Sequence, residues 1–173
     1  MKKIELSASV LLIAFFGIAV YACSPSVSTE KVKMELSLVG EMLFEGANSL
    51  QYSNENQLAE IAAEVGVDEE AVEGITVSEV TIELDDLTRP ITESLLLQVV
   101  SDNQELVTIG TLNPLPEGQV FTLSLAETTS ILKYLKDSGT TWVLDLNITE
   151  DYMDEMTVDG SLDLTIDYIP NKN

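Results

Sequence analysis

The sequence predicts a mainly β protein, an antiparallel immunoglobulin-like β-sandwich of about seven strands that forms a single domain over residues 31–173. Apolar and polar residues alternate along several segments, as they do in half-buried strands. Turn-forming residues separate these segments, and the regular succession of strand and helix that marks a parallel sheet is absent. Because 45% of the residues are hydrophobic, an ordinary share for a folded domain, the acidic composition does not indicate disorder.

The strand predictions follow this alternation along the chain. The clearest case places Trp142 and Leu144 on the same face of a strand, which predicts a core position for the tryptophan. Segments 94–100 and 105–112 are predicted to pair as a hairpin, and residues 40–53 to be a bent or paired extension of the first strand. The predicted strands are 31–38, 80–84, 94–100, 105–112, 120–125, 142–148 and 162–168.

Two short helices joined by a tight turn are predicted at about 54–74, in a crossover between strands. Apolar residues recur at helical spacing from Leu58 to Val65, and Gly66 stands where a helix favours a left-handed residue. Asp68 is placed to cap the second helix, and acidic residues in its first turn suit the helix dipole. A further short helix is predicted near 129–137.

The spacing within this helical pair is also that of a helix-turn-helix DNA-binding motif. The second helix, however, would present Asp68, Glu69 and Glu70, and no lysine or arginine occurs between Lys33 and Arg89. Carboxylates repel the phosphates that such a helix must approach. We therefore predict a helical cap that packs its apolar face on an end or flank of the sandwich, and no binding to nucleic acid.

The first 22 residues are predicted to be a signal peptide. Lys2 and Lys3 give a positively charged start, and an unbroken apolar run follows from Val10 to Ala22. The length of this run suits the hydrophobic region of a signal peptide and is short for a helix that spans a bilayer. An uncleaved membrane anchor is the alternative interpretation.

The sequence Val20-Tyr21-Ala22-Cys23 resembles the lipobox of bacterial lipoproteins, although Tyr21 replaces the small residue usual at that position. The resemblance covers about the first two dozen residues. It implies cleavage before Cys23, lipid on the sulfur of Cys23, and residues 23–30 as the lipidated cysteine and a polar tether. It also implies an extracytoplasmic, lipid-anchored location. Ser24, where an aspartate would signal inner-membrane retention, implies the outer membrane in a cell that has two membranes.

Charge and cysteine content limit the partners. Cys23 is the single cysteine, so no intrachain disulfide can form. The formal net charge is -22, and loss of Lys2, Lys3 and Glu5 with the leader would leave about -23. Such a surface repels nucleic acid and suits a cationic partner. The predicted partners are the membrane, through the lipid on Cys23, and an envelope protein or a cationic ligand.

Most catalytic chemistry is excluded by the residue types that the chain lacks. The chain has no histidine, and Cys23 is assigned to the lipid, so Ser-His-Asp, Cys-His and His/Cys zinc sites cannot form. No phosphate-binding glycine loop is present, and Arg89 is the only arginine. We therefore predict no enzyme activity and no catalytic, cofactor-binding or metal-binding residues. The predicted function is that of a membrane-anchored envelope lipoprotein acting as a non-enzymatic binding or structural module.

Carboxylate chemistry remains as the alternative. A small glycosidase-like hydrolase needs a pair of acids at a suitable separation. A Ca²⁺-dependent binding domain is the other alternative, because residues 147–163 concentrate oxygen ligands. The acids of that segment are Glu150, Asp151, Asp154, Glu155, Asp159 and Asp163. If the last two strands pair, Asp145, Asn147, Asp163 and Asp167 also share an outward face, where like charges cost stability.

Overall fold

The structure is a computed structural model that describes residues 26–127 and 130–170. These residues form nine strands, two short α-helices and two 3₁₀ helices. The elements are β1 (Ser28–Leu43), β2 (Gly46–Ser53), α1 (Gln57–Glu64), a 3₁₀ helix (Glu69–Ala71), β3 (Val72–Glu83), a second 3₁₀ helix (Arg89–Ile91), β4 (Thr92–Ser101), β5 (Gln104–Leu112), β6 (Val120–Thr122), β7 (Ser124–Leu125), α2 (Leu132–Leu135), β8 (Thr141–Ile148) and β9 (Tyr152–Tyr168).

The nine strands form one antiparallel sheet in the order β6-β3-β9-β1-β2-β8-β4-β5-β7. The two edge strands, β6 and β7, are separated in the chain only by Leu123. β6 pairs with β3, and β7 pairs with β5. One short segment therefore joins both edges, and the sheet is nearly barrel-like. We term residues 120–125 the seam.

Backbone hydrogen bonds hold the seam on both sides. The Leu123 N–H donates to the carbonyl of Val80 in β3 at 3.0 Å, and the Ala126 N–H donates to the carbonyl of Ile109 in β5 at 2.8 Å. A glycine allows the close approach, because a Cβ added to Gly110 would lie 3.0 Å from the Leu123 Cβ. The seam thus covers backbone groups that a sheet edge would otherwise leave open.

The inward-facing side chains of the sheet form an apolar core. The alternation predicted for β8 is confirmed, since Trp142, Leu144 and Leu146 are all buried, and Trp142 is among the largest fully buried side chains. α1 adds Leu58 and Ile61 to the same core. Full burial of an apolar side chain of this size stabilises the fold by about 1.5–3 kcal/mol relative to exposure.

The predicted antiparallel β class is confirmed, whereas an immunoglobulin-like sandwich of about seven strands is not confirmed. β1 begins at Ser28, inside the predicted tether, because residues 28–30 pair with residues 166–168 of β9. Residues 46–53, predicted only as an extension, form β2 and pair with β8. β2 could not be predicted as a separate strand, because Leu50 is its one buried residue and apolar alternation is therefore absent. The strand is defined by its backbone pairing instead.

The last two strands, β8 and β9, do not pair, because the β1–β2 hairpin lies between them. The acidic cluster expected from their pairing comprised Asp145, Asn147, Asp163 and Asp167. In the structure Asp145 instead accepts a hydrogen bond from Ser49 on β2, and Asp167 accepts one from Thr29 on β1 at 2.6 Å. Because β8 and β9 do not pair, the condition for that cluster is not met. The predicted hairpin of β4 and β5 is confirmed.

The helical pair predicted at 54–74 is only half correct. α1 forms, and Gly66 has the expected left-handed backbone with a φ of +74°. The second helix is one 3₁₀ turn, and Val72 already belongs to β3. Pairing of β3 with β9 overrides the helical structure predicted up to residue 74. The helix predicted near 129–137 is shortened to the four residues of α2.

Candidate functional site

The candidate site is a polar cleft between the start of α1 and the loop that follows α2. Two adjoining cavities form it, of about 310 and 480 Å³. Glu55, Leu135, Asp137 and Ser138 line both cavities, so the two lie side by side. We term this site the Gln57 cleft, and define it by residues 54–58, 69–70 and 135–140. The combined space is of the size that holds small molecules or a few residues of a peptide.

Gln57 forms part of the inner wall of the cleft. Its side chain is buried, with 3% of its surface exposed. The Oε1 atom accepts a hydrogen bond from the Trp142 Nε1–H at 2.8 Å, which fixes the orientation of the amide. The Nε2 donor has no hydrogen-bond partner among the described residues. A buried donor left unpaired costs about 1–3 kcal/mol, so this amide lowers the stability of the fold.

Asp137 organises the loop that forms the opposite wall. Its carboxylate accepts hydrogen bonds from the Asn103 side chain at 2.7 Å, from the Asn103 N–H at 2.7 Å and from the Ser101 hydroxyl at 2.9 Å. The Ser138 N–H donates to it as well, at 3.0 Å. These donors, led by the Asn103 side chain, lower the pKa of Asp137 below its ordinary value, against a smaller opposing effect of desolvation. Asp137 therefore carries its negative charge at neutral pH.

The turn between β4 and β5 supports the same loop from outside. Asp102 accepts a hydrogen bond from the Ser138 hydroxyl at 2.7 Å, and its N–H donates to the Ser138 carbonyl at 3.0 Å. Gly139 has a left-handed φ of +66°, and a Cβ there would collide with the Asp102 carboxylate. The left-handed backbone favours glycine at this position, and a larger residue would also displace the Asp102 carboxylate from Ser138.

The rim of the cleft is acidic. Glu55, Glu69 and Glu70 are exposed residues that line it, and Asp137 adds a fourth carboxylate. The one basic residue of the rim is Lys136, whose Nζ donates to the Val72 carbonyl at 3.2 Å. Because this cation is turned toward the backbone of β3, it leaves an excess of negative charge at the opening.

A separate, smaller cavity of about 210 Å³ is also lined by Gln57. Glu35, Glu60 and Glu64 line it. Lys33 also lines it, and its Nζ lies 3.4 Å from a carboxylate oxygen of Glu35 in an exposed ion pair. Gln57 therefore lines this smaller cavity as well as the cleft.

Some of the residues predicted to be functional lie outside the described residues, and others lie within them. Cys23, the predicted lipidation site, and the predicted signal peptide lie outside the described residues. Within residues 26–127 and 130–170, no helix has the length and apolar character required to cross a membrane.

The acids proposed as calcium ligands are spread along β9 and the turn before it. Asp151 accepts a hydrogen bond from the Glu45 N–H at 2.9 Å, and Asp159 accepts one from the Ser37 hydroxyl at 3.1 Å. Over the described part of the chain, no group of three or more His, Cys, Asp or Glu residues is arranged to hold a metal ion.

Gln57 is not among the residues predicted from the sequence. A signal was present, since Gln57 precedes Ile61 by one helical turn and so places an amide on the apolar face of the predicted helix. The pairing of Asp137 with the β4–β5 turn had no local signal, because 34 residues separate Asp137 from Asn103.

The fold and the cleft define a mainly β protein with an acidic cleft at one flank of its sheet. No family model and no curated protein matches the chain. Among solved structures, a chain titled desmodium yellow mottle tymovirus is similar with 11% identity and a TM-score of 0.40, covering 87% of this chain and 93% of its own. A chain titled turnip yellow mosaic virus has 12% identity and a TM-score of 0.34, covering 87% and 98%. Similarity at this level assigns neither a fold family nor a function.

Proposed function

We propose that this chain is an exported, lipid-anchored, non-enzymatic binding protein of the cell envelope that holds its ligand in the Gln57 cleft. One observation carries the binding part: a cleft with an acidic rim is lined by Gln57, a buried residue whose Nε2 donor has no partner among the described residues. A purely structural module has no need for an unpaired buried amide, because such a group lowers stability unless a ligand or water satisfies it.

The anchoring part of the proposal rests on the resemblance of Val20-Tyr21-Ala22-Cys23 to a lipobox. With β1 beginning at Ser28, the chain from Cys23 to Ser28 spans at most about 18 Å. A lipid on Cys23 would therefore hold the domain close to the membrane surface. Stable anchoring requires more than one acyl chain, which is what the resemblance implies.

The cleft lies toward the end of the sheet from which this linker leaves. Ser28 at the start of β1 pairs with Tyr168 of β9, and Tyr168 pairs with Val72, directly after the 3₁₀ helix that carries Glu69 and Glu70. An anchored domain would thus present the acidic rim near the membrane surface, where a ligand of the envelope could reach it.

The anchoring is tested by expressing the full chain and its Cys23→Ala variant in a bacterium that makes lipoproteins. We expect the wild-type chain to incorporate labelled palmitate and to partition with membranes. Cys23→Ala should incorporate no label, and globomycin should cause the wild-type precursor to accumulate. Normal cleavage and lipidation of Cys23→Ala would contradict the proposal.

The binding function is tested by crosslinking in intact cells followed by purification of the chain. We expect one or more saturable crosslinked partners with the wild-type chain and fewer with a Glu69→Gln/Glu70→Gln variant. An identical, non-saturable background for both would remove the case for a binding function. The hydrolase alternative would instead give glycosidase activity that is lost on change of a single Asp or Glu.

A further inference from the structure

We propose that Met42 and Met153 form a reversible oxidation site, at which hydrogen peroxide oxidises both thioethers to sulfoxides while the domain stays folded. The inference goes beyond the proposed binding function. It depends neither on the Gln57 cleft, which these two residues do not line, nor on the lipid anchor.

The two methionines lie opposite each other, where β1 and β9 pair irregularly. Residues 41 and 43 of β1 pair with residues 155 and 152 of β9, so a single residue of β1 is opposed by two residues of β9. The single residue is Met42, and the two residues opposite it are Met153 and Asp154. Such a bulge in an antiparallel pair leaves the extra residue outside the ladder. The fold thus brings two methionines from distant parts of the chain to one place.

Both methionine side chains are open to solvent. The exposed fraction is 62% for Met42 and 55% for Met153. The other methionines of the described residues differ, because Met156 is fully buried and Met34 is partly buried against the core. A dissolved oxidant therefore reaches Met42 and Met153 in the folded protein, whereas it reaches Met156 only when β9 opens.

The backbone of Met42 indicates that its side chain is not there for packing. Met42 has a φ of +51°, in the left-handed region that favours glycine. Its side chain is exposed and contributes nothing to the apolar core. A methionine in this conformation costs stability without a return in buried area, so the strain points to a role for the side chain in solvent.

The charges around the pair favour an uncharged oxidant. Glu41, Asp154 and Glu155 are exposed carboxylates at the same bulge. They repel anionic oxidants, whereas hydrogen peroxide is neutral near pH 7 and is not repelled. The chemical class of the substrate is therefore a neutral peroxide.

The reaction is a two-electron transfer of one oxygen atom to each sulfur. A lone pair of the thioether sulfur attacks one peroxide oxygen, the O–O bond breaks, and the second oxygen leaves as water after it takes up the proton of the first. The sulfur is oxidised to the sulfoxide and the peroxide is reduced. Methionine sulfoxide reductases reverse the change with electrons from a dithiol.

The sulfoxides are compatible with the fold at these two positions. A sulfoxide is polar, and it disrupts a core when the oxidised methionine is buried. On Met42 and Met153 the added oxygen stays in water, so no buried contact is lost. On Met156 the same oxygen would lie in the apolar core. The site can therefore be oxidised and reduced again without unfolding of the domain.

The experiment treats the full chain, purified in detergent, with hydrogen peroxide and locates the added oxygen by mass spectrometry of its peptides. We expect Met42 and Met153 to gain one oxygen atom each. Oxidation of Met156 should be more than about tenfold slower, since it requires opening of its strand. The oxidised chain should keep its near-ultraviolet circular dichroism. A mixture of methionine sulfoxide reductases A and B with dithiothreitol should then remove both oxygen atoms.

Three variants locate the site. Met42→Leu and Met153→Leu keep an apolar side chain of similar size without the sulfur, and each should gain one oxygen atom fewer than wild type. Met34→Leu is the matched control and should leave the oxidation of both sites unchanged. Met42→Gly tests the backbone argument, because glycine relieves the positive φ and the urea midpoint should not fall below that of wild type.

A change of oxidant tests the charge argument. Peroxymonosulfate is an anionic peroxide, so its reaction with the two methionines should speed up between low salt and 1 M salt, where the Debye length is about 3 Å. The rate with hydrogen peroxide should not change with salt. A salt dependence that is the same for both oxidants would contradict the selection by charge.

Four results would overturn the inference. They are oxidation of Met156 as fast as that of Met42 and Met153, loss of the near-ultraviolet circular dichroism on oxidation of the pair, sulfoxides that the reductases cannot reduce in the folded chain, and a Met42→Gly protein with a lower urea midpoint than wild type. The lipidation and crosslinking assays concern other residues. A negative result here therefore leaves the proposed function standing, and a failure of those assays leaves the oxidation site standing.

Discussion

Gly160 shows how one residue permits the packing of three strands. It lies in the middle of β9, between β1 and β3, and its missing side chain faces the core. An added Cβ would approach the Ile82 Cδ1 to 2.8 Å and the Thr81 carbonyl oxygen to 3.2 Å. Because one of these atoms belongs to the backbone, the contact cannot be relieved by side-chain motion alone.

We expect Gly160→Ala to lower the free energy of unfolding by about 1–3 kcal/mol, as overpacking of a core does. Gly74→Ala on β3 is the matched control, because its Cβ would meet only the flexible Asp167 side chain, at 3.4 Å or more. Urea unfolding followed by Trp142 fluorescence measures both. A Gly160→Ala protein as stable as wild type would show that β9 can shift away from β3.

The loop that forms one wall of the cleft is predicted to be stabilised by the charge of Asp137. This stabilisation is predicted to depend on pH. Its pKa is lowered in the folded state by donors led by the Asn103 side chain. A lowered folded pKa gives a stabilisation that is present above the unfolded pKa, near 3.9, and is lost as pH falls through the folded value. Asp137→Asn should therefore be less stable than wild type at pH 7, and this difference should fade toward pH 3.

Urea midpoints of wild type and Asp137→Asn at pH 7, 5 and 3 measure this effect. Asp154→Asn, which changes an exposed carboxylate on β9, serves as the control and should follow the wild-type midpoint more closely at pH 7. A wild-type advantage over Asp137→Asn that stays constant down to pH 3 would contradict the assignment of the pH dependence to this carboxylate.

At the level of elements, the positions of the long strands were predicted better than the pairing between strands. The apolar alternation of β8 and the turn of the β4–β5 hairpin are local features, and both predictions are confirmed. The position of β2 beside β8 is not local, because it depends on a hairpin that returns between two strands from the C-terminal half of the chain. Gln57 could have been suspected from its helical face, but its lack of a partner is a property of tertiary packing.

The β1–β9 pair contains an unfavourable contact between like charges. Glu41 lies directly opposite Glu155 in the register, and both residues are exposed. Directly opposed like charges destabilise a sheet, and an opposite-charge pair in the same place contributes about 0.2–1 kcal/mol. We therefore expect Glu155→Lys to raise the urea midpoint.

Asp154→Lys makes the same change of net charge on the adjacent residue of β9 and is the control for general relief of acidity. Glu155→Lys should exceed it, and the excess should shrink in 1 M salt, where the Debye length is about 3 Å. Equal effects of the two variants would show that the excess negative charge of the molecule, rather than the opposed pair, governs the change.

Over the whole molecule, the net negative charge and the closure of the sheet have opposite effects on how compact the chain is. The net charge of -22 favours expansion of the chain, and the closure of the sheet by the seam opposes it. The composition predicted the charge. The closure could not be predicted, because residues 120–125 have the alternation of one ordinary strand and only tertiary pairing divides them between β3 and β5.

The seam is expected to couple the two edges of the sheet. Leu123, between β6 and β7, is buried with 3% exposure and its N–H binds the Val80 carbonyl. Leu123→Ala should cost about 2–5 kcal/mol through the cavity it creates. Because the seam contacts both β3 and β5, hydrogen exchange at the amides of both strands should accelerate together, while the β1–β9 pair keeps its protection.

Leu125→Ala is the matched control, since Leu125 lies in the same segment but is 37% exposed, and it should change stability and exchange far less. Hydrogen exchange by mass spectrometry at sub-denaturing urea measures the coupling. Faster exchange in β3 alone, or in β5 alone, would mean that the two edges open independently and that the seam covers them without joining them. Joint acceleration would establish that the sheet behaves as one closed cooperative unit, with the Gln57 cleft held on its flank.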